Sequence, residues 1–158
     1  MELLFAGMAL DGRTGHEAGR ELLARLYFEK TGNPLPPIEK TERGKPYFVG
    51  SDLHFSITHT PRHAFCALAE MPLGIDAEEM DRPINSRLAE KILSPGELAR
   101  YQAAPDKRAA LLRLWVLKEA DAKRTGEGLR GYPNRTDFSP DDPRIREVDG
   151  CYVAILTD

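Results

Sequence analysis

The chain predicts an α+β fold, and three observations carry that expectation. Apolar or alternating runs, several rich in β-branched and aromatic residues, occur at 2–10, 54–59, 63–70, 73–79 and 151–156. Between them lie segments with apolar residues at helical spacing, opened by good N-caps and stopped by glycine. The elements come as strands with helices in two successive rounds.

In chain order, Glu2 to Leu10 reads as a strand closed by the Asp11-Gly12 turn. Thr14 can cap a helix to about Lys30, with Ala18, Leu22, Leu23, Leu26 and Tyr27 on one face and Gly32 as its stop. Asn33 to Pro37 is a rigid connector, and Gly44 to Phe48 opens an extended segment. His54 to His59 alternates as a strand, and Pro61 turns it into His63 to Glu70, the second arm of a hairpin. Pro72 precedes the strand Leu73 to Glu79, whose end is acidic. Ile84 to Leu93 reads as a short helix. Ser94-Pro95-Gly96-Glu97 is a capping box with proline at the first helical position, so another helix runs to about Gln102. Asp106 caps a long helix ending near Gly126. The stretch from Arg130 to Asp149 is rich in Pro, Asp and Arg and is expected to be mostly irregular, before a closing strand from Cys151 to Leu156.

Composition narrows the function classes. A chain of 158 residues can bury one substantial core, or build two small halves that share one. Lys plus Arg is 22 against Asp plus Glu 25, a net charge of -3, which argues against a broad nucleic-acid surface and leaves room for a local basic cleft. No apolar run approaches the roughly 20 residues of a membrane span, and MELLFAGMAL lacks the basic start of a signal peptide. Cys66 and Cys151 both fall in apolar strand-like runs without metal-ligand spacing. They read as buried free thiols of a reducing compartment, and a cytoplasmic location is expected.

The chemistry concentrates in Leu114 to Leu129, LWVLKEADAKRTGEGL. On a wheel of about 100° per residue, Leu111, Trp115 and Ala122 lie together. Trp115 is therefore expected in the core. Lys118 falls inside that apolar stripe, Glu119 just across Trp115 from it, and Lys123 follows Glu119 at i+4. Such a helix is either amphipathic with snorkelling lysines and an ion pair or the wall of a cleft for phosphates and a metal. Asp76 and Glu78 lie two apart on a strand, so both carboxylates point one way, about 7 Å apart. They read as a solvated strand end or as two hard ligands for Mg²⁺ with Glu119 as the third. Arg13, Lys45, His59, Lys118 and Lys123 are the cations to meet phosphates, and Arg13-Thr14 stands at a helix start that favours anions. No GxxxxGK[ST] stretch is present, which argues against a P-loop nucleotide site.

Five motifs in order carry a family resemblance: Gly44-Lys45-Pro46, Phe55-Ser56-Ile57-Thr58-His59-Thr60, Gly74-Ile75-Asp76-Ala77-Glu78, Leu93-Ser94-Pro95-Gly96-Glu97, and Trp115-x-x-Lys118-Glu119-Ala120-x-x-Lys123 with Gly126-x-Gly128-Leu129. Over Gly12 to Leu129 the chain resembles the 4′-phosphopantetheinyl transferases, of the pseudo-dimeric surfactin-synthetase-activating type. The resemblance implies two similar lobes, each a helix packed on an antiparallel sheet, over 1–72 and 73–158, with coenzyme A in the cleft between them. It implies an enzyme of the holo-acyl-carrier-protein-synthase type, which moves phosphopantetheine from coenzyme A to a serine of an acyl or peptidyl carrier protein and releases 3′,5′-ADP. Asp76, Glu78 and Glu119 would then hold Mg²⁺, Glu119 would take the serine proton, directly or through a water, and Lys123 would neutralise the departing phosphate. Arg13, Thr14, Lys45, Pro46, Thr58, His59, Lys118 and Lys123 would contact coenzyme A. Ser56 and Thr58 depart mildly from the family's asparagine and serine, Asp121 replaces a commonly apolar residue, and only twelve residues precede Arg13. A monomer is expected, with neither nucleic acid nor membrane as a partner. The alternatives are a non-catalytic binder of coenzyme A or carrier protein, and a Mg²⁺-dependent phosphohydrolase, whose motif order fits less well.

Overall fold

The structure is a computed structural model that describes residues 2–128 and 135–158; Leu129 and the start of the Pro/Asp/Arg-rich stretch lie outside the described residues. Strand β1 (Leu4–Ala9) leads into helix α1 (Gly15–Thr31), followed by β2 (Ile38–Lys40), β3 (Pro46–Phe48), β4 (His54–His59), β5 (His63–Ala69) and β6 (Leu73–Glu79). Helices α2 (Leu88–Ile92), α3 (Pro95–Ala103) and α4 (Lys107–Thr125) come next, then β7 (Ile145–Val148) and β8 (Cys151–Thr157). Helices and antiparallel sheets thus follow the α+β expectation.

Helices α1, α3 and α4 each start where a cap satisfies the first free amides, whereas the short α2 has no side-chain cap. Thr14 accepts from the Glu17 amide, Asp106 from that of Ala109, and both bonds of the Ser94–Glu97 capping box are made. Helices α1 and α4 stop at Gly32 and Gly126, left-handed residues whose amides reach back to Phe28 and Ala122.

Two three-stranded antiparallel sheets form, ordered β1-β5-β4 and β6-β8-β7, so in both the first strand of a round pairs with the last and the penultimate lies outside. The pleat sorts residues between layers. On β5, Ala64, Cys66 and Leu68 face α1 with Leu22, Leu23 and Leu26. Phe65, Ala67 and Ala69 face the second sheet and pack with Leu73, Ile75, Ala77, Val153 and Ile155. Tyr152, Ala154 and Leu156 turn outward to Leu112, Val116 and Leu117 of α4. The order of layers is α1, sheet, sheet, α4, with a shared apolar core between the sheets. Gly74 makes the last contact possible, since a Cβ there would sit 2.0 Å from the Ala120 carbonyl oxygen.

Several elements differ from expectation. Strand β7 lies within the stretch expected to be irregular; it is joined to β8 through Asp149-Gly150, both at positive φ, as a tight hairpin requires. Residues 38–40 pair with 46–48 as a ribbon, and the helix expected from Ile84 begins only at Leu88. Trp115 is half-buried and stands outside the core clusters, because α4 buries Leu111, Leu112, Leu114, Val116 and Leu117 on several sides and presents residue 115 at their margin. Cys66 and Cys151 are buried free thiols, and burial pushes both up to about 12, with Glu79 adding to the effect at Cys151. Among the described residues, no helix is long and apolar enough to cross a membrane.

Candidate active site at the seam of the two sheets

Strands β4 and β6 are edge strands of different sheets and run close to each other. Side chains rather than a ladder join them: Ser56 Oγ accepts from the Ile75 amide at 3.1 Å, and Thr58 Oγ1 donates to Asp76 Oδ1 at 3.2 Å. Ser56 and Thr58 thus supply the polar bridge between the two edge strands.

Asp76 and Glu78 share the face of β6 that looks toward α4, as alternation requires. Lys123 Nζ lies 3.3 Å from Asp76 Oδ1 and 3.5 Å from the Ile57 carbonyl oxygen. Asp76 Oδ2 is buried and has no hydrogen-bond partner. Burial pushes the Asp76 carboxyl up to about 7 despite Lys123, and the charges of Glu119 and Glu78 add to the rise. Glu119 is also raised, first by burial and then by Glu78, against the pull of Lys123. The three carboxylates thus form one electrostatic cluster around a buried acceptor that lacks a partner. Hard oxygens of that kind suit a divalent cation such as Mg²⁺, which would supply the missing partner and cancel the repulsion. Their oxygens stay apart in this geometry. Among the described residues, the three ligand-type groups lying within 4.8 Å of one another are His63, Glu79 and Cys151 instead. Glu78 is instead paired with Arg82 at 2.7 Å.

Beside the cluster is a cavity of about 290 Å³. Its walls mix apolar surface from Pro46, Phe55, Ile57 and Ala122 with the cations Arg43, Lys45 and Lys123, and Glu119 lies at its edge. Lys45 reaches across from the first round of elements and donates to the Arg124 carbonyl at the end of α4, at 2.6 Å. Its stem lies against Gly126, and burial lowers its pKa. Arg43, Phe55 and Ile57 were not read as site residues; for Arg43 the available signal was a cation just before the Gly44-Lys45-Pro46 turn.

His59 ends β4 on the other side of the carboxylates, in a groove shared with Glu78 and Arg82. A Cβ on Gly15 would overlap its ring at 2.2 Å, so the glycine lets the histidine rest on the first turn of α1. Arg13 and Thr14 adjoin that turn. Arg13 is paired with Glu21, and Thr14 spends its hydroxyl on the cap.

Lys118 is not brought to the cavity, contrary to expectation. It is 1% exposed, and its Nζ donates to Glu97 Oε1 at 2.6 Å and to Thr136 Oγ1 at 2.7 Å. A buried ammonium needs a partner of opposite charge, and the fully buried Glu97 of the capping box supplies it. Glu97 Oε2 also accepts from the Phe138 amide and Thr136 Oγ1, which ties α3, α4 and residues 136–138 together. Burial lowers the Lys118 pKa more than Glu97 raises it. The lysine inside the apolar stripe braces the helix that carries Glu119 and Lys123.

The sequence model of the 4′-phosphopantetheinyl transferase superfamily matches residues 72–150, from β6 to the turn before β8. A 4′-phosphopantetheinyl transferase of Bacillus subtilis is 40% identical over 91 residues, covering 56% of this chain and 40% of that protein. The 4′-phosphopantetheinyl transferase gsp of Aneurinibacillus migulanus is 35% identical over 114 residues, covering 69% and 47%. That of Bacillus pumilus is 32% identical over 116 residues, covering 72% and 46%. The chain belongs to the 4′-phosphopantetheinyl transferase superfamily. Its matched part spans less than half the length of each of these relatives.

Proposed function

We propose that the protein transfers the 4′-phosphopantetheine group of coenzyme A to a serine of an acyl or peptidyl carrier protein. The observation that carries this reading is the buried, unpartnered Asp76 Oδ2, grouped with Glu78, Glu119 and Lys123 beside a cavity that is part apolar and part cationic. Relatives named for this activity support it. The two lobes would be residues 1–72 and 73–158, with the seam as their cleft, and a single chain in the cytoplasm would suffice.

Asp76, Glu78 and Glu119 would hold Mg²⁺, whose chemistry is to neutralise pyrophosphate charge. The apolar walls Pro46, Phe55 and Ile57 would receive the uncharged parts of coenzyme A, and Arg43, Lys45 and Lys123 its phosphates. His59 and the first turn of α1, with Arg13 and Thr14, would meet the further phosphate; Arg13 would first have to leave Glu21. The carrier serine oxygen forms a bond to the β-phosphorus, and the bond to 3′,5′-ADP breaks. Glu119, made more basic by burial, accepts the serine proton, and Lys123 offsets charge on the leaving phosphate. Transfer of this type needs positioning and charge neutralisation more than covalent help.

The test is incubation with coenzyme A, Mg²⁺ and a panel of apo carrier proteins. A carrier heavier by one phosphopantetheine on mass spectrometry, with 3′,5′-ADP released, is the expected result. Coenzyme A binding without a mass change would make the chain a binding module, and free phosphopantetheine or phosphate would make it a hydrolase.

A further inference from the structure

At the other end of the inter-sheet core, away from the cavity, lies a second cluster of ligand-type groups that transfer does not use. Glu79 follows Glu78 but points to the opposite face of β6, into the layer between the sheets. Cys151 is its direct cross-strand neighbour on β8. His63 opens β5 of the other sheet. His63 Nδ1 lies 3.1 Å from Glu79 Oε2 and 3.7 Å from Cys151 Sγ, and all three ligand atoms lie within 4.8 Å of one another. Glu79 is 5% exposed, Cys151 is fully buried, and the His63 side chain is 17% exposed.

We propose that His63 Nδ1, Glu79 Oε2 and Cys151 Sγ form a binding site for a zinc-class divalent cation that joins the two sheets. The two separations from His63 match the ligand set, and the third lies within 4.8 Å. Tetrahedral bonds of about 2.0 Å to nitrogen and oxygen and 2.3 Å to sulfur place ligand atoms roughly 3.3–3.5 Å apart, so 3.1 and 3.7 Å need shifts of only a few tenths of an ångström. One imidazole, one carboxylate and one thiol select Zn²⁺ or Co²⁺ over Mg²⁺, which takes oxygen ligands. A supporting shell is in place. Thr60 Oγ1 donates to Glu79 Oε2, and the Arg62 guanidinium holds Oε1 at 2.9 Å, which fixes the carboxylate. A groove bordered by Arg62, His63, Glu79, Met80, Asp149 and Gly150 provides entry and room for a fourth, solvent ligand. Binding exchanges three waters of the hydrated cation for Nδ1, Oε2 and Sγ, releases the Sγ–H proton to buffer, leaves the neutral imidazole with its proton on Nε2, and involves no redox change. Spacing in sequence hides the site, because its ligands are 16 and 72 residues apart and meet only when the sheets pack.

The test is titration of the chelator-treated full chain with Co²⁺. The expected result is a sulfur-to-cobalt charge-transfer band that saturates at one equivalent and is bleached by Zn²⁺. It should persist in Cys66→Ser and Asp76→Ala, vanish in Cys151→Ser, and require 10–100-fold more metal in Thr60→Val. X-ray absorption of the zinc-loaded wild type, which depends on no variant folding, should show one sulfur at about 2.3 Å beside nitrogen and oxygen. Absence of the band, its survival in Cys151→Ser, or a zinc shell with no sulfur or with two would overturn the proposal.

Discussion

The two halves share a topology and divide the chemistry. Helix α1 on β1-β5-β4 and helix α4 on β6-β8-β7 are the same arrangement, yet β1 reads LFAGMA and β6, in the equivalent place, reads LGIDAEE. One first strand carries no charge, and the other carries three carboxylates. The first half instead supplies Lys45, His59, the polar bridges Ser56 and Thr58, and most of the apolar cavity wall. Packing is divided in the same way. The helix of the first half yields space through Gly15 and Gly19, which meet side chains of β4, whereas in the second half the strand yields through Gly74, which meets helix backbone. A repeated scaffold thus need not repeat its site; each copy contributes what the other lacks.

Five experiments sharpen this contrast. The largest effect is expected at Glu119. Glu119→Gln keeps the shape and one oxygen ligand but removes charge and basicity, and should lower transfer about 10²–10⁴-fold while coenzyme A still binds by calorimetry. Next is the ion pair that braces α4, which has no buried counterpart beneath α1 among the described residues. Glu97→Ala leaves the Lys118 ammonium buried and should cost about 3–5 kcal/mol in denaturant unfolding.

The pH dependence of Asp76 comes third. Its ordinary value of 3.8 is raised to about 7 in the metal-free fold. Between those values the unfolded chain is ionised while the folded group holds its proton. The contribution of this group is therefore fully present below about pH 4 and is lost as pH rises through 7. Asp76→Asn should be more stable than wild type at pH 8, by up to roughly 4 kcal/mol, and equal to it near pH 4. A difference independent of pH in melting scans would contradict the burial argument.

Gly74→Ala follows. Its Cβ meets the Ala120 carbonyl and the Arg124 amide, which cannot turn aside as a side chain can, so a loss of about 1–3 kcal/mol and displaced Glu119 are expected. Gly19→Ala should be the mildest. The Cβ meets only a methyl of Ile57, and alanine's helix propensity offsets about 1 kcal/mol of the strain. Equal losses at the two glycines would erase the packing contrast.

What could be read before the structure was local. Caps, glycine stops and alternation located α1, α3, α4, β1, β4, β5, β6 and β8 because each signal lies within a few residues of its effect. The β7–β8 hairpin also carried a signal, Asp149-Gly150, but β7 is a four-residue strand with Arg146 and Glu147 exposed, too short and polar to stand out. The wheel placed Lys118 correctly inside the apolar stripe and Trp115 wrongly in the core, since a helix covered on several sides has no single stripe. Contacts such as Lys118–Glu97, Thr58–Asp76 and Lys45–Arg124 join residues 18 to 79 apart and belong to the packing of sheets and helices.

The lysine that crosses the seam has a consequence for motion. The last carbonyls of a helix have no intrahelical donor, and helix ends open and close more readily than their middles. Lys123 stands in that last turn of α4, and the Lys45 ammonium is bonded to the carbonyl of the next residue. An ammonium has three donors, so Lys45 can keep that bond and still offer protons to a phosphate. Occupying the cavity would then slow fraying of the turn that carries Lys123, and amide hydrogen exchange over the end of α4 becomes a readout of the cavity itself.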